Sequence, residues 1–221
     1  ALWGRLEYLE NTLGYYFNIM PQARAYTRIQ GYEGVRWPKM PDPSGIDSPS
    51  RVGPLLVNQQ NHPIYYAELV YRQKPTKETL KKYSVIVQNT AEFLASYPVY
   101  NEQRKCYEWG PPIISYREFG DKDYAINKNP TYELAYWTWG LRKANEWRER
   151  MGLERMKKWD DIADHMAPWP IINGIYVEQE VVVVPDGASP GMLAAYGIVP
   201  ESKELNKEIM LKTLRHVMKG W

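Results

Sequence analysis

Along residues 2–18, "LWGRLEYLENTLGYYFN", the apolar positions Leu2, Leu6, Leu9, Leu13 and Tyr16 recur with the spacing of a helix that buries one face. Pro21 opens a second helical segment to about Gln30, so the pattern predicts two helices joined by a short turn. From Gly31 to Asn61 the period disappears, and Gly, Pro, Ser, Asp and Asn cluster around "PDPSGIDSPS". A loop of roughly thirty residues inside a domain is usually functional or disordered, and the aromatic and amide residues at its ends favour an ordered one. Ile64 to Arg72 reads as a short helix behind Pro63. Lys77 to about Tyr97 reads as a longer one, with Leu80, Tyr83, Val87, Thr90 and Leu94 on one face.

The next helix starts at Asn129-Pro130, with Asn as N-cap and Pro at the first helical position, and runs through "TYELAYWTWGLRKANEWRERMG". Its first half is apolar nearly all round: Tyr132, Tyr136 and Trp139 on one side, Leu134, Trp137 and Leu141 on the other. Such a helix is enclosed by others. Further helices are expected at 155–166 and 204–218, with a short one near 190–196. Only Gly174 to Gly187, with its β-branched run Val181 to Val184, has strand-like content, so at most one short β element is expected near 175–185. There is no alternating βα pattern and no Gly-rich nucleotide loop, which disfavours a doubly wound fold. The pattern describes an all-α stack of helical hairpins with long polar, aromatic-rich loops.

Composition changes this picture in one respect. Aromatic residues make up 14% of the 221, as 18 Tyr and 9 Trp against 3 Phe, which favours rings with a polar handle. Such rings stack on the C–H faces of sugars and hydrogen-bond at their edges, and protein cores use them equally well. Charge changes little: 28 basic and 26 acidic side chains are interspersed, leaving no footprint for nucleic acid. Cys106 is the single cysteine, so neither a disulfide framework nor a cysteine zinc site is available, and His62, His165 and His216 lack metal-ligand spacing. No cofactor is implied. No apolar run is long enough to span a membrane.

Three segments carry candidate chemistry. In "GPPIISYREFG", Gly110 to Gly120, Pro111 and Pro112 fix φ and remove two donors, which predicts a stiff strap that pairs with nothing. The strap delivers Glu118 among Ile113, Ile114, Tyr116 and Phe119, where poor solvation would hold a general acid protonated. A surface pair with Arg117 is the plainer reading. Gln59, Gln60, Asn61 and His62 offer neutral donors and acceptors suited to hydroxyl groups, or equally to a helix start. In "GYEGVRWPKM", Pro38 holds Trp37 extended beside Arg36 and Lys39, as a stacking platform or as a plug onto the core. "DPSGIDS" lacks the full ligand spacing of a calcium loop.

Taken in order, "GYEGVRWPKM", "NQQNHPIYYAELVYR", "GPPIISYREF" and "NPTYELAYWTWGL" resemble the catalytic region of the six-hairpin, or (α/α)6 toroid, glycosidases, nearest to bacterial relatives of the kojibiose and maltose phosphorylase family. The resemblance covers about residues 1–200. It implies an inverting glycoside hydrolase acting on an oligosaccharide, with Glu118 as general acid. Arg36, Trp37, Lys39, Gln59, Gln60, His62, Tyr116 and Arg117 would line the sugar pocket. A disaccharide phosphorylase of the same fold and a noncatalytic helical glycan- or protein-binding module are the alternatives.

About eight helices are legible where a toroid needs twelve, and the chain opens at Ala1 inside a helical pattern. Residues 1–221 are therefore expected to form one toroid-type catalytic domain, incomplete at both ends, whose partner is the remainder of that domain. The family's second carboxylate falls beyond Trp221, with Glu180 and Asp186 as weaker candidates in view. The polar, acidic stretch expected before the Pro-Gly-Met helix is shortened. The compartment stays open, with a periplasmic or secreted location favoured over a cytoplasmic one.

Overall fold

The computed structural model describes residues 4–115, 124–181 and 190–219. Within them seven α-helices and two short antiparallel hairpins give an all-α class. The helices are α1 (Leu6–Ile29), α2 (His62–Gln73), α3 (Lys77–Ser96), α4 (Thr131–Arg150), α5 (Lys157–Asp164), α6 (Ala194–Gly197) and α7 (Lys207–Lys219). The chain divides into two units, one of Ala1–Gly53, Gln59–Tyr97 and Gly140–Ala163, the other of Pro54–Asn58, Pro98–Trp139 and Asp164–Trp221.

In the first unit α1, α2 and α3 pack on one another. The expected break at Pro21 does not occur; α1 is continuous for 24 residues with Pro21 inside it. Pro21 is exposed, while Leu13, Met20, Ala23 and Thr27 continue one buried stripe across it. Burial of that stripe outweighs the hydrogen bond the proline cannot make. The face read for α3 is correct: Leu80, Tyr83, Val87, Thr90 and Leu94 are all buried. Thr76 caps this helix by accepting from the Thr79 N–H.

The long loop after α1 is ordered by specific contacts. Gly34 has φ +67°, and a Cβ there would stand 2.3 Å from the Asn89 carbonyl oxygen, so only glycine lets the loop lie on α3. Val35 N–H then donates to that same carbonyl at 2.9 Å. The "DPSGIDS" turn is closed by the Asp42 carboxylate, which accepts from Ser44 N–H at 2.8 Å, Ser44 hydroxyl at 2.7 Å and Ile46 N–H at 3.0 Å.

In the second unit the structure departs from the expectation of one short β element. β1 (Val99–Asn101) pairs with β2 (Cys106–Glu108), and β3 (Ile171–Ile172) with β4 (Ile175–Tyr176). The second hairpin turns at Asn173-Gly174, both at positive φ, as a two-residue turn matched to strand twist requires. Residues 182–189, which hold most of the predicted strand, lie outside the described residues. The first half of α4 is buried at every position from Thr131 to Trp139. α7 is capped by Asn206, whose side-chain oxygen accepts from Glu208 and Ile209 N–H.

All seven described tryptophans are buried, among them Trp109 at 0% and Trp137 and Trp147 at 1% exposure. The tryptophans therefore serve the core, whereas of the described tyrosines only Tyr83, Tyr132, Tyr136 and Tyr176 are buried. No helix among the described residues is long and apolar enough to cross a membrane.

Candidate functional site

The amides before α2 and the Trp37 loop meet in the first unit. Gln60 is fully buried, and its side-chain amide pairs with the main chain of Trp37 as a neighbouring strand would. It accepts from the Trp37 N–H and donates to the Trp37 carbonyl, both at 2.7 Å. Gln59 Nε2 reaches the same carbonyl at 3.3 Å. The Trp37 ring is 2% exposed, packs edge-on against Tyr16 at 4.9 Å, and donates its indole N–H to Thr90 at 2.9 Å. Trp37 thus plugs the loop onto α3, and Gln60 fixes its backbone.

Unused polar atoms remain beside this clamp. Gln59 Oε1 and both polar atoms of the Asn61 amide are buried without a hydrogen-bond partner. Asn61 stands at the N-cap of α2 yet its side chain does not cap. It lies instead on Gly140 of α4, where a Cβ would come within 1.7 Å of Asn61 Oδ1. Arg36 is 5% exposed, with its backbone N–H on Thr27 and its guanidinium on Gln30 at 2.6 Å. Lys39 is half-buried on the same loop. His62, the first residue of α2, stands 5.8 Å from the Tyr66 ring, and burial lowers its pKa, which favours neutral imidazole.

Arg36, Trp37, Gln59, Gln60 and His62 therefore belong to one unit, with Trp37, Gln59 and Gln60 in direct contact. Sequence reading missed Thr90 as the indole acceptor; it named Asn61 in the amide cluster, and the structure leaves both polar atoms of that amide unused.

Glu118, Tyr116 and Arg117 lie outside the described residues. What precedes them in the second unit differs from an unpaired strap. Gly110–Pro111 and Pro111–Pro112 are both cis, and directly afterwards Ile113 N–H donates to Tyr124 and Ile114 N–H to Leu55, each at 3.1 Å. Proline removes donors only at its own positions, so pairing resumes at the next residue. Ile113, Ile114 and Ser115 are buried, and the Ser115 hydroxyl donates to Glu178.

Glu180, the weaker candidate base, is gripped bidentately by Arg104 at 2.7 and 3.0 Å, by Asn129 at 3.0 Å and by Lys128 at 3.3 Å. Burial pushes its carboxyl up, but the hydrogen bonds from Arg104 and Asn129 and the charges of Arg104 and Lys128 outweigh this and hold it below the ordinary range. It is ionised and fully engaged. Asp186 lies outside the described residues. Asn129 does not cap α4 as expected: at φ +50° its side-chain oxygen accepts from Trp109 N–H. Among the described residues no group of His, Cys, Asp and Glu could hold a metal ion.

No protein-family model and no curated sequence matches the chain. A solved structure described as "Putative kojibiose phosphorylase from human microbiome" superposes with a TM-score of 0.65 at 11% identity, over 79% of this chain and 25% of that one. The fold is that of helical hairpins of the (α/α) toroid type, and the chain spans about a quarter of the structure it matches.

Proposed function

We propose that the chain is part of an inverting glycoside hydrolase that cleaves an oligosaccharide, with Glu118 as general acid. Glu118 protonates the leaving oxygen while a base on the opposite face activates water, an arrangement that needs the two carboxyl groups roughly 6.5–9.5 Å apart. The observation that best supports a carbohydrate ligand is the set of neutral amides before α2, where Gln59 Oε1 and the Asn61 amide are buried without partners. Hydroxyl groups both donate and accept, and neutral amides match them without desolvating a charge.

Phosphorolysis is a second reading, favoured by the description of the similar solved structure as a kojibiose phosphorylase. Incubation with a panel of α- and β-linked disaccharides, with and without inorganic phosphate, separates the two. Hydrolysis releases two free sugars whatever the phosphate concentration, whereas phosphorolysis requires phosphate and yields a sugar 1-phosphate. No cleavage of any panel member would defeat both.

A further inference from the structure

We propose that Asn127 and Gln179 in the second unit form a binding site for a single neutral hydroxyl group of a sugar. The inference rests on the carbohydrate reading above and adds a site that reading does not contain. Gln179 Nε2 donates to Asn127 Oδ1 at 2.8 Å. Two amides in a closed pair would exchange a second hydrogen bond. Here they do not, and Asn127 Nδ2 and Gln179 Oε1 are both buried without a partner. Asn127 is 0% and Gln179 8% exposed.

The backbone around the pair is held on several sides, which limits how far either amide can turn. Glu180 N–H donates to Lys128 carbonyl at 3.2 Å, and Thr131 donates from its N–H to Glu178 carbonyl at 2.9 Å. The Thr131 hydroxyl donates to Val177 carbonyl at 2.6 Å. Gly110, at φ +66°, is seated against the Asn127 carbonyl, where a Cβ would come within 2.7 Å. An unmatched buried polar atom is costly, and this pair holds two, one donor and one acceptor.

That remainder defines the ligand chemistry. A carboxylate or fully ionised phosphate only accepts, and an ammonium only donates. An O–H group does both, accepting from Asn127 Nδ2 and donating to Gln179 Oε1. Interchanging oxygen and nitrogen in both amides again leaves one donor and one acceptor. A sugar hydroxyl and a water molecule both supply such a group.

The test uses the full chain with glucose, galactose, mannose, xylose and fucose, observed by saturation-transfer NMR. At least one sugar is expected to bind, and one of its monodeoxy analogues to bind about tenfold more weakly, as loss of one well-matched hydrogen bond predicts. That discrimination is expected to vanish in the double variant Asn127→Leu, Gln179→Met. Asn127→Asp, which deletes the unused donor and keeps the acceptor for Gln179, repeats the test if the double variant does not fold. No binding by the wild type, equal binding of every deoxy analogue, or discrimination that survives in the variants overturns the proposal and assigns the site to water. Binding and discrimination without cleavage would defeat the glycosidase reading alone; cleavage without discrimination would defeat this site alone.

Discussion

The side-chain amide of Gln60 completes both main-chain hydrogen bonds of Trp37, at 2.7 Å each, from a distance of 23 residues along the chain. This one relationship ties the Gly31–Asn61 loop to the start of α2. Gln60→Leu removes both partners and leaves a buried N–H, with the carbonyl keeping only the longer bond from Gln59. Unfolding in urea should show a loss of about 2–4 kcal/mol. A change below about 0.5 kcal/mol would mean that the clamp is not what holds the loop.

Gly140 and Asn61 make a second close pair. Alanine in a helix interior is favoured over glycine by about 1 kcal/mol, so Gly140→Ala would stabilise an uncrowded helix. Here the added Cβ meets Asn61 Oδ1 at 1.7 Å and Leu94 Cδ1 at 3.0 Å. The substitution is expected to destabilise by about 1–3 kcal/mol, as overpacking does. Adding Asn61→Ala should recover much of that loss, and a double-mutant cycle measures the coupling.

Glu68 is a buried carboxylate inside a cationic cage. Arg150 donates at 2.6 and 3.3 Å, Trp147 at 2.9 Å and Arg72 at 3.1 Å, with Lys143 at 3.7 Å. Burial pushes its carboxyl up, but the Arg150 hydrogen bond, the Lys143 charge and the bonds from Trp147 and Arg72 hold it below its ordinary value. A depressed carboxyl contributes stability that is present above its unfolded pKa and lost as pH falls through the folded one. Glu68→Gln should cost about 3 kcal/mol at pH 7, the scale for breaking a buried pair. The gap between wild type and variant should narrow below about pH 4, where the unfolded carboxyl protonates. Melting curves from pH 7 to pH 3 check this, and a gap constant with pH would contradict it.

Much of the fold was legible because burial and helical period coincide. The α3 stripe and the all-round apolar start of α4 are direct readings of that kind. Pro21 misled because a local rule was set against a buried stripe that only the packed structure reveals. The β1–β2 hairpin was hidden because its turn, from Glu102 to Lys105, contains no glycine, and Lys105 takes φ +54° unannounced. The site was legible only as residue chemistry. Trp37 before Pro38 is extended whether its ring faces a ligand or the core, and Gln60 offers the same atoms to a sugar or to a peptide bond. The unused amides of Asn61, Asn127 and Gln179 could not be read at all, because an unmatched donor exists only relative to its neighbours.

The central claim is that Glu118 is the acid of a glycosidic cleavage. The most direct measurement is the turnover of a cleaved disaccharide by wild type and Glu118→Gln, with melting temperature and sugar affinity recorded for both. The account predicts a fall of about 10²–10⁴-fold with fold and binding retained, the usual contribution of a positioned general acid. Turnover at the wild-type rate in Glu118→Gln would contradict it.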